Sequence, residues 1–425
     1  MKQKKITTGI IVLIIIVFGG LLSGCTWQEP SSLLDDNLTP PVDDLVITEG
    51  LDNVVNANNQ FALDLYSKYK SKEGNVFFSP YSISTALAMT YEGAKGETAQ
   101  EMQSVFHFSE DNNTRRGGYT DLYSEINKKD KKYKLHTANA LWAEQDFHFS
   151  NDYFNVVEQY YNGKVTNLNF KQEAEKSRKT INNWIEDQTN NKIKDLIPTG
   201  VIDGLTRLVL TNAIYFKGEW VKQFNEDETK SKDFKITLDN IIKVPLMRRT
   251  DDKAIFNYIE DSKLQILEMP YSGEDLSMLV LLPKNNDLKA LENSLSVEKL
   301  SKWKKDLKEQ RVNIYIPKFK FETKYFMADT LKEMGMPIAF SPSADFSGMT
   351  GEKDLFISNV IHQAFVDVNE EGTEAAAATA VVMKLTASPN APIIPTFRAD
   401  HPFIFIIQQN NTGNILFMGK VVDPR

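Results

Sequence analysis

Catalysis and metal binding would have to be built here from very few side chains. His107, His136, His148, His362 and His401 are the only histidines, and Cys25 is the only cysteine. No two of them have HExxH or Cys/His zinc spacing. The sequence contains no GxSxG elbow, no phosphate-cradling P-loop and no GxGxxG fingerprint. "FSGM", Phe346–Met349, has a serine and a glycine but not the elbow. Triads are defined by geometry rather than by order in the chain, so spacing alone does not dispose of one. The expectation is nevertheless a protein that is not an enzyme and carries no cofactor or metal. The cluster "KKDKKYK", Lys128–Lys134, could meet an anionic polymer, but Glu125 and Asp130 dilute it, and it reads as a solvated loop or helix end. With a formal charge of −8, the chain offers no basic footprint for nucleic acid.

Cys25 matters through its position. Lys2, Lys4 and Lys5 precede an apolar run from Ile6 to Leu22, then "LSGC". A charged head, an apolar middle and a small-residue end read as a secretory signal. The Leu-Ser-Gly-Cys ending resembles the prokaryotic lipoprotein signal. That resemblance implies removal of residues 1–24, lipidation of Cys25 and a body held outside the cytoplasm at a bacterial or archaeal membrane. Loss of the three lysines would take the formal charge from −8 to −11. Residues 25–50 include three prolines and, beyond position 34, five acidic residues, and read as a flexible tether.

From residue 51 onward the pattern is that of one large domain; 41% hydrophobic residues supply ample core. Phe61, Leu63, Leu65 and Tyr66 suggest a helix. A short strand at "NVFF" meets Pro80, and Ser79 or Ser82 could cap the helix that follows. Thr180–Ile197 reads as an amphipathic helix with Ile181, Trp184, Ile185 and Ile193 apolar. Strands follow at Thr206–Trp220, Leu276–Pro283 and Val312–Thr323, the last alternating around Pro317. "NNTGN" turns a closing hairpin. Helices early and strands late argue an α+β fold with segregated layers.

One late stretch stands apart: "EEGTEAAAATAVVMKLTASPNAPIIP", Glu370–Pro395. Ala375–Ala378 favour helix by propensity. As a strand, however, it would alternate. Thr373, Ala375, Ala377, Thr379, Val381 and Met383 form one uncharged set. Glu374, Ala376, Ala378, Ala380, Val382 and Lys384 form the other, which takes both charges.

At "DVNEEGTEAAAATAVVM" the chain resembles the serpins, a family of serine protease inhibitors. "NVFFSPYSISTALAMTYEGAKGET", "LTNAIYFKGEW", "DFSGMT", "FISNVIHQAFVDV" and the closing strands are similar to family segments in the same order, from about residue 53 to 425. The resemblance implies a serpin fold of three β-sheets and eight or nine helices, with an exposed reactive loop at about 370–395. It implies a monomer whose loop is attacked by a serine protease, with cysteine proteases as a second class. The cut loop would then enter the main sheet and trap the covalent acyl-enzyme, releasing stored strain.

Residue by residue, the resemblance assigns the hinge to Glu370, Gly372, Thr373, Glu374, Ala375, Ala376, Ala377, Ala378, Thr379 and Ala380. Gly372 suits a hinge through its conformational freedom. Family spacing from Gly372 places the scissile bond at Thr386–Ala387, with Lys384 and Leu385 as neighbouring alternatives. Thr386 suits a small or permissive pocket, and Lys384 a trypsin-like one. Ser79, Ser82, Asn212 and His362 match a polar cluster that governs sheet opening, and Trp220 is grouped with them at the sheet's upper end. A non-inhibitory serpin serving as a binding or chaperone module is the competing reading.

Overall fold

The computed structural model describes residues 48–373 and 393–425. Thr48 opens the described chain as a helix cap: its side chain accepts from Leu51 N–H, and α1 runs Glu49–Tyr69. Two residues assigned to the tether are therefore helical. Gly50 does not break the helix but permits close packing, since a Cβ there would lie 2.8 Å from the Thr114 carbonyl oxygen.

The other helices are α2 (Pro80–Tyr91), α3 (Gly96–Phe106), α4 (Asn112–Ile126), α5 (Asn151–Tyr161), α6 (Phe170–Gln188), α7 (Leu288–Ser294), α8 (Val297–Asp306), α9 (Ala328–Met334) and α10 (Ser347–Thr350). The strands are β1 (Val76–Phe78), β2 (Lys134–Glu144), β3 (Lys164–Leu168), β4 (Leu208–Glu219), β5 (Lys230–Lys235), β6 (Ile241–Arg249), β7 (Ile255–Glu260), β8 (Leu264–Pro270) and β9 (Leu276–Pro283). They continue as β10 (Lys308–Arg311), β11 (Asn313–Pro317), β12 (Phe319–Phe326), β13 (Asn359–Val368), β14 (Gly372–Thr373), β15 (Thr396–Arg398), β16 (Phe403–Gln409) and β17 (Ile415–Val421). The described residues thus hold ten α-helices, where eight or nine were implied; the "FSGM" stretch closes the single turn of α10. Helices also return after residue 288, so the early-helix, late-strand division is incomplete.

Ser79 is the cap of α2, accepting from Ser82 N–H, with Pro80 in the first turn where a missing N–H costs nothing. The helix expected at 180–197 instead begins at Phe170 and ends at Gln188. Asn190 and Asn191 take left-handed φ of 55° and 59°, which a continuing helix cannot accommodate. The stretch read as one alternating strand around Pro317 is two strands in two sheets, β11 and β12, divided at Pro317 and Lys318.

The three sheets are β1-β17-β16-β9-β8-β7-β10, β15-β11-β6-β5 and the main sheet, β12-β13-β14-β4-β2-β3. One face of the main sheet sends Leu210, Ile214, Phe216, Ala364 and Val366 into the large core shared with α2 and the seven-stranded sheet. The other face sends Val209, Ala213 and Ile361 into a smaller core beneath Ile181 and Ile185 of α6. The centre of the main sheet is a parallel seam in which Asn359–Phe365 of β13 face Val209–Tyr215 of β4. Above it, β14 lies between the same two strands and runs antiparallel to both.

Candidate functional site

The seam has two parts, a hinge at its upper end and a polar cluster at its centre. At the hinge, Asn369 Oδ1 accepts from Glu371 N–H (3.1 Å) and Gly372 N–H (3.2 Å), turning the chain from β13 into β14. Trp220 fixes this turn: its backbone N–H donates to Glu371 O at 2.7 Å and its indole N–H to Asn369 O at 3.1 Å. Its ring stacks on Tyr271, with centroids 4.5 Å apart. Trp220 is therefore a hinge residue and not part of the central cluster. It lies eight residues up the chain from Asn212, about 26 Å at strand rise.

Glu370 is buried, receiving Thr229 Oγ1–H at 2.7 Å and Lys318 Nζ at 2.8 Å. Burial opposes its ionisation, but Lys318 and Thr229 outweigh burial and hold the carboxyl below the usual range. Glu371 is the reverse case. Desolvation, then Glu226 and Glu219, push its carboxyl up. Gly372 is required by contact rather than by conformational freedom: a Cβ would sit 2.1 Å from Gly218 O, and its φ lies outside the left-handed region. Thr373 is 1% exposed and its hydroxyl meets Tyr271 OH at 2.8 Å. The set expected to face inward thus begins inward.

At the centre, His362 of β13 faces Asn212 of β4. The imidazole is fully buried, which drives its pKa down to about 3 against the opposing hydrogen bond to Asn212. It is neutral, and its partners fix the tautomer: Nε2 accepts from Ser79 N–H at 3.1 Å, so Nδ1 carries the proton and donates to Asn212 Oδ1. Asn212 Nδ2 donates to Ser82 Oγ (2.6 Å) and Asn139 Oδ1 (2.7 Å), and Ser82 Oγ–H donates to Asn139 Oδ1 at 2.9 Å. Ser79 Oγ–H donates to Leu416 O at 2.6 Å. Ser79, Ser82, Asn212 and His362 are thus brought together, and every polar group in the chain of bonds has a partner. The network ties both seam strands to α2 and β17.

Asn139 and Tyr325 were missed from the sequence. Asn139 stands opposite Asn212 in the β2–β4 register, and Tyr325 opposite His362 in β12–β13, with parallel rings 6.4 Å apart. An amide inside the apolar run "ANALWA" was the available signal for Asn139. Nothing in the sequence marked Tyr325 or Tyr271.

Beyond Thr373, hinge residues Glu374, Ala375, Ala376, Ala377, Ala378, Thr379 and Ala380 lie outside the described residues, as do Lys384, Leu385, Thr386, Ala387 and Cys25. The chain reappears at Ile393 and enters a different sheet. Asn313 N–H donates to Pro395 O at 2.9 Å, and β15 pairs parallel with β11. The two ends of the loop are therefore anchored in separate sheets. Among the described residues, no cluster of His, Cys, Asp and Glu could hold a metal. The basic stretch at 128–134 connects α4 to β2 and ends on the first residue of β2, with Lys128 paired to Asp275 and Lys131 bonded to Asn127.

The pattern of the family described as Serpin (serine protease inhibitor) matches residues 56–424. The chain belongs to the serpin family. It is 39% identical to an uncharacterised serpin-like protein of Thermococcus kodakarensis, over 98% of this chain and 99% of that one. It is 40% identical to leukocyte elastase inhibitor A of Rattus norvegicus, over 88% of this chain and all of that one. The fold matches uncleaved ovalbumin with a TM-score of 0.79 and 32% identity, over 88% of this chain and 100% of that one. The serpin assignment puts the chain among protease inhibitors rather than enzymes, with a protease as its partner in general terms.

Proposed function

We propose that this serpin inhibits serine proteases by acyl-enzyme trapping with loop insertion into the β13–β4 seam. The observation that carries the reading is the seating of β14. Thr373 faces Gly218 on one side and Val368 on the other. Each further residue steps one place down both strands. Six steps bring Thr379 opposite Asn212 and His362, the pair that now closes the seam. Ala375 and Ala377 would precede it on the same uncharged face. On the other face Ala378 would meet Ala213, and Ala380 would meet Ile361, both fully buried beneath α6. Only small side chains fit there without displacing that helix. That face is covered at its centre, so the alternation serves a buried surface on both sides.

Insertion has a thermodynamic direction. One parallel ladder is replaced by two antiparallel ones, and parallel pairing is slightly weaker per residue. In the covalent step the protease serine oxygen attacks the Thr386 carbonyl carbon. The bond to the Ala387 nitrogen breaks, that nitrogen leaves as an amine with the proton, and an ester remains. Insertion must then outrun hydrolysis of the ester. Incubation with elastase-like, subtilisin-like and trypsin-like proteases, read as SDS-stable complex and by mass mapping of the cut, tests this. A cut at Thr386–Ala387 with a stable complex supports the reading; turnover of the loop by every protease overturns it.

The N-terminal pattern supports a second element of the proposal, an extracytoplasmic protein anchored by lipid on Cys25. Cys25→Ala is expected to abolish the acyl mass shift and release the protein from membranes. Unchanged membrane retention would overturn it.

A further inference from the structure

The imidazole at the centre of the lock is stacked as well as hydrogen-bonded. Tyr325 of β12 stands directly opposite His362 of β13, and its ring lies within 7° of parallel to the imidazole, with centroids 6.4 Å apart. Tyr69, the last residue of α1, stacks on Tyr325 in turn, at 4.4 Å and 10°. The Lys72 ammonium lies 4.3 Å from the centre of the Tyr69 ring and 5.2 Å from that of Tyr325. At such distances rings attract one another and attract a cation. Tyr69 and Tyr325 are buried and Lys72 is exposed, so the column runs from the surface to the imidazole.

A column of this kind fixes a plane. Both bonds of the imidazole, Nε2 from Ser79 N–H and Nδ1–H to Asn212 Oδ1, lie in the plane of its ring, so a tilt would weaken both. Apolar bulk would fill the same space without setting the tilt; two rings parallel to the imidazole set it. The Tyr69 hydroxyl is buried beside Thr330 and makes no hydrogen bond, so the contribution of Tyr69 is its ring. Phe77 N–H donates to the Tyr325 hydroxyl at 3.4 Å. The turn after α1 is held by β17, where Lys420 Nζ donates to Lys70 O at 2.6 Å and to Lys72 O at 3.4 Å. No member of the column belongs to β4 or β2. Across the seam, Asn212 has supports of its own in Ser82 and Asn139.

We infer that Tyr69 and Tyr325 are positioning residues of the lock: they moor the His362 imidazole to the α1 and β12 side of the seam, so that opening parts it from Asn212 and leaves its bond to Ser79 in place. The regulatory consequence rests on the trapping reading above. A moored imidazole keeps its donor aimed into the seam while the sheet is parted, ready for reclosure or for an entering strand. A ring free to tilt would let the seam open more often without a strand to fill it, and inhibitory activity would drain away. Lys72, at the outer end, makes the lock sensitive to a change on the surface.

The test uses the full chain and two readouts: the half-life of inhibitory activity against subtilisin, and the water-exchange rate of the His362 Nδ1–H in histidine-labelled protein by NMR. Tyr69→Leu is expected to shorten the half-life about two- to tenfold, the range for an aromatic pair, and to speed the exchange. Tyr69→Phe should match wild type in both, since the hydroxyl it removes makes no bond. Lys72→Gln, at an exposed position, should shorten the half-life about twofold. Phe61→Leu is the control for lost stability alone: it lies on the same helix but stacks on Phe106, and should lower the melting temperature without changing the exchange. Equal exchange in Tyr69→Leu and Phe61→Leu, or a Tyr69→Phe as labile as Tyr69→Leu, would overturn the mooring. A wild type that forms no complex would remove the trapping reading instead, because the Nδ1–H exchange reads the mooring by itself.

Discussion

The two ends of one seam are built on opposite principles. At the top, β13 and β4 are already parted by β14, whose Thr373 is small and neutral and pairs with both strands, its side chain making one hydroxyl contact with Tyr271. At the centre the same strands are closed by a buried network whose members satisfy one another. An open edge beside a polar lock is what a strand needs if it is to wait and then enter. Hydrogen bonds in such a network are individually worth little net, yet costly to leave half made. The lock therefore resists partial opening and yields when a new strand supplies replacements.

The contrast breaks most severely if a charge must enter the centre. Thr379→Arg would place a guanidinium between His362 and Asn212 in the inserted state, and an unpaired buried charge is costly. Trapping is expected to fall by more than about tenfold, with the protease released and the loop cut, as read by complex yield on gels. On the trapping reading Thr379 joins the sheet only after the cut, so the uncut protein should melt as wild type does.

The lock itself is weakened by His362→Ala, which strands Ser79 N–H and the Asn212 carbonyl. At about 1–3 kcal/mol for each buried unsatisfied group, the uncut protein should lose several kcal/mol. Calorimetry should show this as a lower melting temperature, together with faster spontaneous loss of inhibitory activity. If activity persisted as long as in wild type, the cluster would not control opening.

His362 also gives a pH dependence. Its pKa is depressed to about 3 in the fold, against 6.5 as its ordinary value. The unfolded chain therefore binds a proton that the folded chain refuses. The stabilisation is complete above about pH 6.5 and is lost progressively as pH falls toward 3, by up to about 1.4 kcal/mol per unit. Denaturant melts between pH 7 and pH 5 isolate this from the carboxylates. His362→Asn should flatten that part of the profile relative to wild type.

The smallest effect belongs to the hinge. Trp220→Phe keeps a ring on Tyr271 but removes the indole donor to Asn369 O, for a loss of about 1 kcal/mol. Stability should fall slightly, and complex yield should stay near wild type if the backbone bond to Glu371 O and the ring stack suffice to set the hinge.

Much of this contrast was legible in the sequence, for physical reasons. Strand alternation exposed the uncharged face of residues 373–383, and Ser79 before Pro80 marked the α2 cap. The polar cluster came from resemblance, because four residues spread between 79 and 362 have no local pattern. Asn139 was hidden because strand register, not spacing, sets it beside Asn212. Trp220 was placed at the sheet's upper end by resemblance, but its hold on the turn was not legible, because its sequence position does not show that the chain from Asn369 folds back over it. The division at Pro317 was missed because alternation continues through it while the strands change sheet.

The central claim is that residues after Thr373 become a strand of the main sheet once the loop is cut. The most direct measurement is the melting temperature before and after a single cleavage at Thr386–Ala387, with the cut confirmed by mass. A rise of roughly 10 °C or more is expected, since each kcal/mol shifts domains of about 150–250 residues by about 2–4 °C and a full strand adds several. A cleaved protein that melts at or below the temperature of the intact one would contradict insertion.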